Sequence, residues 1–278
     1  MQVTLLGTGQ LHPADRVQCG TLIEDLPALI DSGAGIYQRI HESTISVDDL
    51  EHVMFTHLHQ DHVNDILPII SAKRHTGDRP FPDEPGRRDG PSDGRPELTI
   101  YGPAGTERFM KLLIRTHVKS RDSESGIEFP IRDDNIYLSV KEISPESTFS
   151  IGERTIATRE TNHGSEDEST LAYKFDEELV VSGDTGATES IADFADGVRV
   201  LIHECTFFDG RDSSGHTTPR DLARILDGKD IDEVYLTHLP DHVPVERRAA
   251  IETIRNGFDG NVTVTRDMER ISTSRERL

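Results

Sequence analysis

The 278-residue sequence has no tryptophan, only two cysteines, and 6 lysines against 24 arginines. Two cysteines, Cys19 and Cys205, exclude a disulfide-stapled scaffold. No stretch approaches the roughly 18 apolar residues of a membrane span. Residues 1–6 lack the basic start and apolar run of a secretory signal. A cytoplasmic protein with no membrane partner is expected. Positive charge is scarce as well: 30 Lys plus Arg stand against 51 Asp plus Glu, for a formal net charge of -21. Few lysines, many carboxylates, no tryptophan and a pI near 4.9 match the composition of proteins from salt-in halophiles. In molar salt the Debye length is about 3 Å, so such a surface is screened and mainly holds water. The acidic balance then says little against a nucleic-acid substrate, which it would otherwise disfavour.

Hydrophobic residues are only 34% of the chain, but they fall in blocks, so a folded core is expected. The length suits one large α/β domain spanning 1–278. Val3–Leu6, Ala28–Ile30 and His52–Thr56 read as strands, and Val63–Arg74 has helical spacing. Thr170–Phe175 and Leu179–Ser182 read as a hairpin, Val198–Ile202 and Val234–Thr237 as buried strands, and Ala249–Phe258 as a last helix. Thr218-Pro219-Arg220-Asp221 has the N-cap, first-position proline and acidic first turn of a helix start. Between Thr76 and Glu97, nine of 22 residues are Pro or Gly and ten are charged. That stretch cannot bury enough surface to offset its ordering entropy, so a mobile surface insertion at 76–97 is expected.

The chemistry concentrates in Thr56-His57-Leu58-His59-Gln60-Asp61-His62. Three histidines and a carboxylate fall within six residues at a strand end. His57 and His59, at i and i+2, face one side of an extended backbone. Imidazole nitrogen and carboxylate oxygen suit zinc and related divalent ions, and four ligands exceed what one open catalytic zinc needs. Two metals are expected. Phe55-Thr56-His57-Leu58 is echoed by Leu236-Thr237-His238-Leu239, which suggests two β/α halves presenting ligands to one cleft.

His-x-His-x-Asp-His resembles the signature of the metallo-β-lactamase superfamily. That resemblance implies an α/β fold, the αββα sandwich, with a dinuclear metal site. It implies that His57, His59 and His163 hold one metal, that Asp61, His62 and His238 hold the other, and that Asp184, in Ser182-Gly183-Asp184-Thr185-Gly186, bridges them. Zinc is the first expectation, with manganese or iron also suited to such a mixed set. His203-Glu204-Cys205-Thr206-Phe207, Gly215-His216-Thr217-Thr218-Pro219, Leu6-Gly7-Thr8-Gly9 and Ile30-Asp31-Ser32-Gly33 are similar to segments of the ribonuclease Z branch. By that resemblance His216 is the phosphate-side general acid, oriented by Glu204, and Asp61 binds metal and steers the nucleophile's proton. Asp31 is read as holding the metal loop by hydrogen bonds. A homodimer is implied by the same likeness.

Two departures bear on substrate. Gln60 stands where ribonuclease Z usually has a small residue. His163 and Asp184 are 21 residues apart, which leaves no room there for the basic arm with which long-arm ribonuclease Z grips tRNA. The leading expectation is a phosphodiesterase with ribonuclease Z-like RNA 3′-end endonuclease chemistry, acting in tRNA processing. The first alternative is a small-molecule hydrolase of the same centre, acting on a cyclic nucleotide, cyclic phosphate, sulfate ester or lactone. The second is a metal- or RNA-binding scaffold without turnover. His12 and His242 are further cleft candidates.

Overall fold

Adjacent apolar residues in the strands go to different cores. Leu5 packs between two sheets while Leu6 packs under helices; Ile30 and Leu29, Ile202 and Leu201, Val181 and Val180 divide in the same way. Strand side chains alternate faces, so a run buried on both faces marks a strand covered on both sides. This computed structural model describes residues 1–12, 15–75, 98–117, 132–133, 136–165, 167–208, 215–240 and 244–274. The expected insertion at 76–97 lies outside them.

In chain order the strands are β1 (Gln2–Gly7), β2 (Gly20–Ile23), β3 (Ala28–Ile30), β4 (His52–Met54), β5 (Leu98–Gly102), β6 (Arg132–Asp133), β7 (Ile136–Glu142), β8 (Thr148–Ile151), β9 (Arg154–Glu160), β10 (Leu171–Phe175), β11 (Leu179–Val181), β12 (Val200–Glu204), β13 (Glu233–Thr237), β14 (Asn261–Val264) and β15 (Glu269–Ser272). The helices are α1 (Ile36–Ile40), α2 (Gln60–Val63), α3 (Ile66–His75), α4 (Thr106–His117), α5 (Glu189–Ala195), α6 (Pro219–Ile225) and α7 (Pro244–Arg255). One sheet runs β15-β1-β2-β3-β4-β5-β7-β6 and the other β14-β13-β12-β11-β10-β9-β8. Val3, Ile30, Met54, Tyr173 and Ile202 are among the side chains that fill the space between the sheets. The Tyr173 hydroxyl crosses this layer to donate to the Phe55 carbonyl at 2.8 Å. Residues of α1, α3 and α4 cover the outer face of the first sheet, and residues of α5, α6 and α7 that of the second. This is the αββα sandwich.

The inner strands β3, β4 and β5 run parallel, as do β11, β12, β13 and β14. Their carboxyl ends therefore collect at one edge, where α/β sheets commonly carry ligand-binding loops. The predicted strand Ala28–Ile30 matches β3, and Thr218 caps α6 with Asp221 completing a capping box. The predicted helix Val63–Arg74 instead divides into α2 and α3. Asp65 sits at the break because its carboxylate accepts the Gly35 and Tyr37 amides at 2.9 and 2.8 Å. The last helix begins at Pro244, earlier than its apolar spacing indicates. β15 carries Ile271 as its one large apolar residue and left no period to read.

Candidate metal centre and active site

Three strand ends turn by left-handed backbone: Asp31 after β3 has φ 60°, Gly183 after β11 has φ 59°, and His238 after β13 has φ 52°. At Gly183 an added Cβ would lie 2.8 Å from Thr56 Cβ, so glycine is needed there for space as well as for φ. For His238 such a conformation costs on the order of 1–3 kcal/mol and is held by its surroundings. Such strained positions collect at functional sites.

These turns bring together every histidine and carboxylate of the predicted cluster. A single oxygen, Oδ2 of Asp184, faces Nε2 of His238 at 3.2 Å, His62 at 3.5 Å, His163 at 3.8 Å and His57 at 3.9 Å. Asp61 Oδ2 lies 3.2 Å from His238 Nε2 and 3.8 Å from His62 Nε2. His59 presents Nδ1, 3.1 Å from His163 Nε2. Donor atoms of His57, His59 and His163 lie within 4.8 Å of one another, and so do those of His57, His62 and Asp184.

The far nitrogens of four rings are tied back. Nδ1 lies 3.0 Å from Thr56 Oγ1 in His57, 2.8 Å from Asp31 Oδ2 in His62, 2.7 Å from the Gly215 carbonyl in His163 and 2.7 Å from Thr206 Oγ1 in His238. These acceptors favour the proton on Nδ1 and leave the Nε2 lone pair aimed inward. Nε2 of His57 and of His62 are buried with no hydrogen-bond partner among the described residues. A buried nitrogen left unpaired is costly. A divalent cation among these nitrogens and Asp184 removes that cost, so the donor set fits metal.

The electrostatics agree with that fit. Burial pushes the His57 imidazole well below its usual pKa, and His62 adds to the effect. Burial works against charge on His62 too, but Asp184 and Asp31 outweigh it and hold this imidazole well above the usual value. Burial also opposes the Asp184 carboxylate, yet His238 and His62 keep it well below the ordinary carboxylate range. The centre thus attracts positive charge.

A second carboxylate organises the other wall. Glu204, fully buried at the end of β12, accepts the Thr206 amide at 2.9 Å, the Thr206 hydroxyl at 2.8 Å and the Thr217 amide at 2.8 Å. His216 Nδ1 lies 3.3 Å from Glu204 Oε1 and 3.2 Å from Thr206 Oγ1. Its ring stacks on His238 at 5.3 Å and 14°. Burial lowers the His216 pKa, but the Glu204 hydrogen bond and charge outweigh it, and the net shift is upward.

Asp31 accepts the Thr56 amide and hydroxyl, both at 2.8 Å, beside its contact with His62. Gln60 is the exposed first residue of α2, and His12 is exposed. His242 lies outside the described residues. Sequence reasoning missed the hydroxyls of Thr56 and Thr206, the Gly215 carbonyl, and Cys19, whose sulfur lies within 4.8 Å of donor atoms of His62 and His238. Thr206 was within the Glu204 segment, but nothing in its spacing marked the hydroxyl.

The sequence profile described as "Beta-lactamase superfamily domain" matches residues 87–239, more than half of the chain. The chain belongs to the metallo-β-lactamase superfamily. A second profile, for the anti-Pycsar protein Apyc1, matches residues 1–79 of this superfamily member. Its sequence is 27% identical over 272 residues to "Probable metallo-hydrolase YhfI" of Bacillus subtilis, covering 96% of this chain and 97% of the relative. It is 24% identical over 253 residues to ribonuclease Z of Halalkalibacterium halodurans, covering 76% and 77%. The crystal structure of Bacillus subtilis YhfI superimposes with a TM-score of 0.74 at 22% identity, over 98% of this chain and 99% of that one. The short form of human tRNase Z gives 0.68 at 18% identity, over 99% and 100%. Among the described residues no helix is long and apolar enough to cross a membrane.

Proposed function

We propose that this metallo-hydrolase is a phosphodiesterase with ribonuclease Z-like chemistry. His57, His59 and His163 would hold one divalent ion, Asp61, His62 and His238 the other, and Asp184 both, with zinc the first choice. When bound, such a pair activates water near neutral pH and neutralises charge on phosphoryl oxygens.

The observation that supports phosphodiester cleavage is the arrangement of Glu204, Thr206 and His216. Glu204 and Thr206 both accept at His216 Nδ1, which directs Nε2 away from them. With its pKa raised, His216 carries a second proton near neutral pH more readily than a free imidazole. Its side chain is 20% exposed, so it can meet a substrate arriving from solvent. His216 binds the phosphate and gives its Nε2 proton to the leaving oxygen, and Glu204 stabilises the imidazolium beforehand. Asp61, whose Oδ2 lies 3.2 Å from His238 Nε2, would bind metal and steer the nucleophile's proton. Positioned acids of this kind contribute roughly 10²–10⁴-fold to rate.

A second reading, hydrolysis of a small diester, is favoured by one feature. Between His163 and Asp184 the described chain is occupied by the β10–β11 hairpin, with residues 176–178 as its turn. Among the described residues of that interval no RNA-gripping arm leaves the fold. The deciding experiment offers a precursor tRNA with a 3′ trailer, bis(p-nitrophenyl) phosphate and a cyclic nucleotide, in molar KCl with zinc or manganese. Cleavage at the trailer junction that disappears in His216→Ala supports the processing nuclease. Hydrolysis of only the small diesters moves the protein to the second reading. Metal uptake without turnover of any of them sinks both.

A further inference from the structure

The Asp61, His62 and His238 side of the centre has a neighbour that the expected ligand set does not use. Cys19 immediately precedes β2 and is 7% exposed. It belongs to none of the three apolar cores, whereas Cys205 packs in the core of the second sheet. Cys19 Sγ donates a weak hydrogen bond to the Gly9 carbonyl at 3.3 Å. It also lines a small cavity of about 20 Å³ together with Asp31, His62, Asp184 and His238. About 10–15 Å³ is enough for one water-sized occupant. The buried, unpaired Nε2 belongs to His62 of the same cavity wall. Sulfur and the donor atoms of His62 and His238 all fall within 4.8 Å of one another. A sulfur set with two imidazoles, beside carboxylates, is a zinc-type donor set.

We propose that Cys19 is a thiolate ligand of the divalent ion on the His62 and His238 side, and that it makes this position selective for thiophilic ions. The inference rests on the reading that the cluster holds metal. Burial and the nearby carboxylates Asp184, Asp61 and Asp31 hold the thiol protonated on its own. Ligation exchanges that proton for the ion; the proton leaves to solvent, the sulfur keeps the electron pair, and the bond to Gly9 is given up. A coordinating thiol is deprotonated outright. Soft sulfur favours zinc over manganese or magnesium, which prefer oxygen. The two metal positions would therefore differ in selectivity, since His57, His59 and His163 offer nitrogen only.

The test is the absorption spectrum of the full chain loaded with Co(II). Wild type and Cys205→Ser should show a thiolate-to-cobalt charge-transfer band in the near-ultraviolet, and Cys19→Ser should lose it. Zinc affinity at one position should fall at least roughly tenfold in Cys19→Ser. Manganese affinity should change little. Should Cys19→Ser not fold, zinc absorption-edge spectroscopy of Cys205→Ser decides, because Cys19 is then the only cysteine; a sulfur shell at about 2.3 Å is expected. Cobalt bound without the charge-transfer band, or a zinc shell of nitrogen and oxygen alone, overturns the Cys19 ligand and leaves the metal centre standing. No metal uptake by the wild type overturns both.

Discussion

In the N-terminal half of the centre, Asp31 accepts the Thr56 hydroxyl and the His62 ring, and the Thr56 oxygen in turn meets the His57 ring. In the C-terminal half, Glu204 accepts the Thr206 hydroxyl and faces the His216 ring, and the Thr206 oxygen meets the His238 ring. Each half thus has one buried carboxylate, one threonine acting as both donor and acceptor, and two histidines. The difference lies in where the carboxylate's direct partner points. The His62 side chain is 1% exposed, inside the centre; that of His216 is 20% exposed, at its rim. The same device therefore seals one imidazole inside the centre and leaves the other at its rim, open to solvent. The carboxylate's reach also differs: Glu204 additionally fastens the Thr217 amide, next to His216, and so ties the loop of its partner histidine to β12.

The largest break in this pairing should come at the oxygen both halves share. Asp184→Ala leaves four histidine Nε2 atoms without their common carboxylate; bound zinc, measured by atomic absorption, should fall and turnover should vanish. Retention of full metal content would contradict the hub assigned to Asp184. Next, His216→Ala should cut the rate by roughly 10²–10⁴ with metal content unchanged.

The carboxylates should then separate by kind of effect. Asp31→Asn should weaken metal affinity by roughly 10–100-fold. Glu204→Gln should act on pH dependence. Glu204 raises the His216 pKa, so activity that needs protonated His216 survives to higher pH and is lost as pH rises through that value. Removing the charge lowers the pKa, and the alkaline fall should start at lower pH in a rate–pH profile. An unmoved profile would separate His216 from the acid role.

The smallest effects belong to the hydroxyls. Thr206→Val and Thr56→Val each leave buried partners unpaired and should cost about 1–3 kcal/mol of thermal or denaturant stability. Thr206→Ser and Thr56→Ser should recover most of it. If Thr206→Val alone also shifts the alkaline limb, the two threonines are not equivalent.

The repeated Phe55-Thr56-His57-Leu58 and Leu236-Thr237-His238-Leu239 segments show where sequence reading stops. In the first, the threonine preceding the histidine holds its ring. In the second, that task falls to Thr206 from another strand end. His238 has left-handed backbone and His57 does not, so the shared Thr-His-Leu aims its side chains differently in the two places.

Chain connectivity determined the closeness of His57, His59, Asp61 and His62. Residues so near in sequence cannot be more than about 3.3–3.6 Å per residue apart, whatever the fold. The β-run spacing and N-cap chemistry likewise determined β3 and the start of α6. The partnership of His163, Asp184, Glu204 and His216 was legible only through resemblance to a known family, and that of His238 through the internal echo as well. The break at Asp65, the choice of Thr206 over Thr237, the convergence of four Nε2 atoms on one Asp184 oxygen and the placement of Cys19 were decided by tertiary structure. Each depends on how two sheets pack and twist at their carboxyl edges, and on backbone conformations stabilised by distant contacts, neither of which any local spacing encodes.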